Sequence, residues 1–255
     1  MKISPVILSQ IKESAQIKFS QLNKMVEKAD SFEKTTNPIT KKCAETLLPI
    51  EVIGKVSDDF IEKVQHEIQN YSQEWISIFK KNHYKVILTD SVTSAYKSQG
   101  MINPGITKKE ILNPKGVLGA THHSADSKTN FFCFCDNGEL SKKYIKNTVN
   151  HEFGHGIVNI NTLYKNTDCI NALKADVKNI ALEKKLDKLS QEERELVSHY
   201  FFNKSSAMPV DEIMADLIAW KKGNCGCYGS TLISSKDNPD LMKFLFPQLF
   251  KSIDV

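Results

Sequence analysis

The stretch His151-Glu152-Phe153-Gly154-His155 holds two histidines four positions apart, with a glutamate directly after the first. It falls within residues 142–161, whose apolar spacing predicts an α-helix. Residues four apart lie on one face of a helix, so both imidazoles can reach a single ion. Histidine pairs at this spacing are typical of zinc sites in hydrolases. We therefore expect His151 and His155 to bind zinc.

Glu152 follows the first histidine and is offset from it around the helix, so it can contact a water molecule instead of the metal. In such a site, zinc acidifies the water and polarises the scissile carbonyl, while the glutamate takes the proton. We predict that Glu152 is the general base. The alternative is two surface histidines on an ordinary amphipathic helix. In a chain with seven histidines among 255 residues, the motif His-Glu-x-x-His should occur by chance in about one case per hundred.

A third ligand must come from elsewhere, because the longer three-histidine motif is absent. Val158 and Asn161 stand where that motif would place a glycine and a histidine. Glu212 is the best candidate: apolar neighbours predict a buried helix, and a buried carboxylate needs a partner. The alternative is an acid that complements the helix dipole. Glu183 is a rival, but its lysine neighbours indicate a solvated surface.

Asp216 lies one turn after Glu212 on the same predicted helix. Its carboxylate can accept a hydrogen bond from the second ring nitrogen of a ligating histidine, which orients the ring. We predict this supporting role for Asp216.

His-Glu-x-x-His at 151–155, followed by Glu-x-x-Ala-Asp at 212–216, resembles the gluzincin metallopeptidases. This superfamily includes thermolysin-like enzymes and anthrax lethal-factor-like toxins. The resemblance covers residues 84–222 and is specific only at the two motifs. It implies Zn²⁺ on His151, His155 and Glu212, with Glu152 as base and Asp216 in support. It also implies an α+β, zincin-like fold with a small mixed β-sheet, an active-site helix beneath it, and a sheet edge that binds the peptide backbone.

Phe131–Cys135 directly precedes the motif helix, so we predict that it is the edge strand. A peptide would add to it as an extra strand, which makes Phe132 and Phe134 candidate substrate-binding residues.

The group that stabilises the oxyanion is not indicated by a motif. Lethal-factor-like enzymes place a tyrosine seven residues before the glutamate ligand, where this chain has Ser205. Tyr200 is our first catalytic candidate for this role, followed by His199 and Tyr228.

The rest of the chain predicts an N-terminal helical region at residues 1–82 and a zincin-like catalytic domain at 83–255, or one continuous domain. Helices are expected at 6–29, at 57–79 with Ser57 as N-cap, at 170–189, at 190–202 and at 209–223. A final helix at 239–253 should be kinked or split by Pro247. Strands are expected at 85–89, 116–122 and 130–135, and an irregular linker at 30–56.

The composition of the chain argues against some classes of binding partner. The net charge is only +4 and Arg194 is the sole arginine, which argues against nucleic-acid binding. No apolar run is long enough to cross a membrane, and the first ten residues lack a Sec-type signal. We expect a soluble monomer made in the cytosol. We expect its six cysteines to be reduced thiols, with disulfides as the alternative if the protein leaves the cell.

Three functions fit these observations. The first is a zinc endopeptidase that acts on a protein or peptide, and a specialised secretion system would make it an effector or toxin inside a host cell. The second is a non-catalytic zinc-fold module that binds peptides. The third is a housekeeping bacterial peptidase.

Overall fold

The protein contains a mixed β-sheet. The computed structural model describes residues 48–103, 107–108, 111, 117–124, 129–191, 194, 210–223 and 241–253. Among these residues, four strands are β1 (Ile50–Ile53), β2 (Tyr84–Thr89), β3 (Gly119–His122) and β4 (Asn130–Cys135). Their order is β1-β2-β4-β3. β1 pairs with β2, and β2 with β4, in parallel, whereas β3 is antiparallel to β4. The predicted α+β class with a small mixed sheet is confirmed.

The prediction that Phe131–Cys135 forms the edge strand is wrong. β4 is an inner strand, hydrogen-bonded to β2 on one side and to β3 on the other. The side chains of Phe132 and Phe134 are fully buried in the main hydrophobic core. Neither ring can meet a substrate from solvent, so both are core residues. The strand that ends the sheet on this side is β3.

β1 was not predicted, because it is short and lies in the segment expected to be irregular. Pro49 and Gly54 flank its four residues and are turn signals when read locally. Its parallel partner β2 begins more than thirty residues later, and a contact of that separation leaves no local pattern.

One face of the sheet is covered by helices, two of which lie between β1 and β2 in the chain while the third follows β4. They are α1 (Asp58–Gln69), α2 (Gln73–Lys81) and α4 (Glu139–Ile160). Their apolar side chains share one core with Phe132 and Phe134. This core contains residues from both sides of position 82, where the sequence suggested a boundary between two regions. The other face packs against α3 (Val92–Ser98) through a smaller cluster that includes Phe131 and Cys133.

The helix expected at 57–79 is interrupted. A second helix begins after Ser72, whose hydroxyl accepts a hydrogen bond from the Trp75 amide. Ser57 stands at the N-cap position of α1, but its hydroxyl donates to Asp136 over 2.6 Å instead of capping its own helix.

The remaining described elements are a 3₁₀ turn at Leu163–Lys165, α5 (Thr167–Leu182), a 3₁₀ turn at Lys185–Lys188, α6 (Val210–Gly223), α7 (Leu241–Leu245) and α8 (Pro247–Ser252). Pro247 splits the last helix, as predicted. The helix expected at 6–29 and most of the one at 190–202 lie outside the described residues. Of the helices described, none is both long and apolar enough to cross a membrane. Cys133, Cys135 and Cys169 are buried free thiols.

Candidate metal centre

The two motifs meet where α4 and α6 pack closely together. Gly154 of α4 faces the backbone of Ala215 in α6, and a Cβ atom at position 154 would lie 2.5 Å from the Ala215 carbonyl oxygen. Real Cβ atoms do not approach an oxygen so closely, so glycine is required at this contact. The contact brings the turn of α6 that carries Glu212 and Asp216 next to the two motif histidines.

Three side-chain atoms converge at this crossing. Nε2 of His151 lies 3.0 Å from Nε2 of His155 and 3.2 Å from Oε2 of Glu212, and the third side of the triangle is 3.4 Å. The three residues are close enough together to hold a metal ion. The expected association of Glu212 with the motif histidines is thus present in the structure.

The triangle has the dimensions that a small divalent ion requires. Bonds of about 2.0–2.1 Å in tetrahedral geometry place neighbouring ligand atoms roughly 3.3 Å apart. Two imidazole nitrogens and one carboxylate form a donor set found in catalytic zinc sites. The residues therefore fit the expected cofactor in spacing and in chemistry.

Asp216 fixes the orientation and protonation of His151. Its Oδ1 lies 2.7 Å from Nδ1 of His151, and both side chains are buried. A carboxylate only accepts hydrogen bonds, so Nδ1 of His151 donates. In the neutral ring, Nε2 then carries a lone pair directed at His155 and Glu212. Such a hydrogen bond is the usual support of a metal-binding histidine.

The carboxylates also set the charge of the site. Burial disfavours the imidazolium, but Asp216 and Glu212 outweigh it and hold the pKa of His151 well above its ordinary value. Burial likewise opposes ionisation of Glu212, yet the His151 and His155 rings, when protonated, donate hydrogen bonds to it and hold its pKa well below the usual range. The site thus carries negative charge that a proton or a metal cation can neutralise.

Glu152 lies beside this triangle but contacts a different group. Its carboxylate Oε2 accepts a hydrogen bond from the Thr121 hydroxyl of β3 over 2.6 Å. Burial raises the pKa of Glu152, while the two imidazoles and Thr121 oppose the rise. Sequence reasoning missed Thr121, because nothing local connects a strand residue with a helix residue 31 positions later.

The other candidates lie apart from this group or outside the described residues. Tyr200, His199, Tyr228 and Ser205 belong to segments that the structure does not describe. Glu183 is exposed, with Oε2 3.8 Å from Nζ of Lys185, and is no part of the cluster. Nδ1 of His123 forms a hydrogen bond of 2.8 Å with the Tyr84 hydroxyl, and the His122 ring stacks on Phe131.

Replacing Glu212 with alanine should remove most of the bound metal, because the site keeps only two of its three ligands. We expect about one ion per wild-type chain and less than roughly one tenth of that in the variant, measured by elemental analysis after dialysis. Asp211→Ala is the matched control: it removes an exposed acid from the same helical turn. Equal metal content in Glu212→Ala and wild type would contradict the assignment.

Comparison with known proteins gives no match: no protein-family model matches the chain, and no curated protein is significantly similar to it.

Proposed function

We propose that the protein is a zinc-dependent endopeptidase with a zincin-like catalytic fold. The observation that carries this proposal is the position of a possible metal-binding triad, formed by α4 and α6, next to a carboxylate that is not part of it. His151 and His155 converge with Glu212 in a triangle of the size that zinc needs, and the carboxylate of Glu152 stands beside it. Ligand triads flanked by a carboxylate that does not bind the metal are typical of hydrolases that activate water.

Zinc, when bound, would supply Lewis acidity to the substrate carbonyl and would acidify a water molecule. The chain supplies the rest. Glu152 accepts the proton of the attacking water and can return it to the leaving amine. Asp216 keeps His151 in the orientation and tautomer that a ligand needs.

The edge of the sheet favours a peptide as the substrate. β3 is hydrogen-bonded to β4 on one side, and none of the described strands pairs with its other edge. Thr121 of β3 is hydrogen-bonded to Glu152, and a Cβ atom at Gly119 would lie 3.0 Å from Oε1 of Glu152, so this strand lies next to the general base. An extended peptide that adds to β3 as a further strand would run past Glu152. β3 thereby takes the substrate-binding role that the sequence had placed on β4.

The test is hydrolysis by the purified chain before and after removal of the metal. Dialysis against a chelator should abolish internal cleavage of unstructured casein and of a mixed peptide library, and one equivalent of Zn²⁺ should restore it. Mass spectrometry of the products identifies the cleavage sites, and Mg²⁺ serves as the control ion. A zinc-loaded chain that binds peptides but cleaves none would favour the non-catalytic module instead.

A further inference from the structure

Thr121 makes a contact that the chemistry described so far does not use. Its hydroxyl oxygen lies 2.6 Å from Oε2 of Glu152 and 3.0 Å from the main-chain oxygen of the same residue. Thr121 belongs to β3 and Glu152 to α4, so the contact joins the edge strand to the motif helix. The Glu152 side chain is almost completely buried at this point.

The Thr121 hydroxyl donates this hydrogen bond, because an ionised carboxylate only accepts. A hydroxyl that donates to an ionised carboxylate lies about 2.5–2.7 Å from it, which is shorter than a bond between neutral groups. The Thr121 hydroxyl has one hydrogen to donate, and the shorter contact is to Oε2. Oε2 is therefore engaged by the protein, and Oε1 is the oxygen left to accept a proton from water.

Gly119 preserves the space beside Oε1. A Cβ atom at position 119 would lie 3.0 Å from Oε1 of Glu152 and 2.8 Å from Cγ2 of Thr148. Any larger residue would press on the carboxylate and change its position. Two residues of β3 thus act on the same side chain: Thr121 holds one oxygen, and Gly119 leaves room for the other.

We infer that Thr121 is a positioning residue for the general base: its hydroxyl holds the Glu152 carboxylate in the rotamer that directs Oε1 toward the reacting water. This inference rests on the proposed hydrolytic function. A misplacement of about 1 Å in a reacting group can cost roughly 10²-fold in rate, so loss of the hydroxyl should affect turnover more than substrate binding.

The kinetic test uses the zinc-loaded full chain. Thr121→Val removes the hydroxyl and keeps the branched shape, and should lower kcat about 10- to 100-fold with KM within about twofold and zinc content unchanged. Thr121→Ser keeps a hydroxyl and should recover kcat to within about fivefold of wild type. Thr121→Ala provides a second hydroxyl-free variant in case the valine variant does not fold.

Thr148→Val is the matched control. Thr148 is also buried and lies one turn before Glu152, but its hydroxyl donates to the Tyr144 carbonyl over 3.0 Å. This variant should keep the wild-type kcat. If Thr121→Ser or Thr148→Val were as slow as Thr121→Val, the effect would be one of packing and the inference would be overturned.

A second measurement needs neither metal nor activity. The measurement is a double-mutant cycle of Thr121→Val and Glu152→Ala in the metal-free chain. The unfolding equilibrium constant of the double variant should differ by at least about fivefold from the value that the two single variants predict for independent effects. Additive effects would mean that the two groups do not interact. If the wild-type chain hydrolyses no peptide, both proposals fail; if it does and Thr121→Val and Thr121→Ala keep the wild-type kcat, only the role of Thr121 fails.

Discussion

Glu152→Gln should lower kcat for peptide hydrolysis by on the order of 10³-fold while the chain keeps its metal. A neutral amide cannot take a proton from water, and general-base catalysis of this kind contributes about 10²–10⁴ to the rate. Because Glu152 lies outside the triangle formed by the two histidines and Glu212, its replacement removes no ligand. Glutamine has nearly the same shape, and its amide oxygen can still accept the Thr121 hydrogen bond.

The measurement is kcat with a fluorogenic peptide chosen from the library cleavage sites, together with metal content per chain. Glu139→Gln is the matched control, since it makes the same change at the exposed start of the same helix. A Glu152→Gln variant with full metal content and more than about one tenth of the wild-type activity would assign the proton transfer to another group.

Gly154→Ala should destabilise the fold by at least about 2 kcal/mol, which is in the range of overpacked cores. Helix propensity alone predicts the opposite sign, because alanine in a helix is about 1 kcal/mol more favourable than glycine. The packing cost exceeds this gain because the new methyl group would meet a backbone oxygen, which cannot rotate away. The helices must separate, and Glu212 and Asp216 then move away from the histidines, so metal affinity should fall as well.

Urea-induced unfolding of the metal-free chain measures the first effect, and titration with Zn²⁺ measures the second. Lys146→Ala, at an exposed position of the same helix, should change stability by less than about 0.5 kcal/mol. A Gly154→Ala variant as stable as wild type would show that α4 and α6 do not pack as closely as described.

The part of the site formed by residues close in sequence was predictable from the sequence. The motif histidines are one helical turn apart, so their common face follows from helix geometry alone. Glu212 and Asp216 needed a second argument: acids inside an apolar helix require partners. The structure places both next to the motif histidines. Asp216 was expected to orient one of the two, and the structure pairs it with His151.

What the sequence could not supply was the lateral order of the strands. Phe131–Cys135 reads as a strand in any arrangement, and its position inside the sheet depends on β1 and β2, which are distant in the chain. The assignments of Phe132 and Phe134 to substrate binding failed for this reason. Their uninterrupted apolar run was a signal of a strand covered on both faces. The contact between Thr121 and Glu152 depends on the same lateral order.

The distance along the chain between the two motifs has a consequence for biosynthesis. His151 and His155 leave the ribosome well before Glu212 and Asp216, which lie on a helix more than fifty residues later. A nascent chain that ends before α6 holds two ligands of the proposed site and cannot complete it. On the proposed function, metal uptake would be coupled to the docking of α6 on α4, and a growing polypeptide would be inert until that docking has taken place.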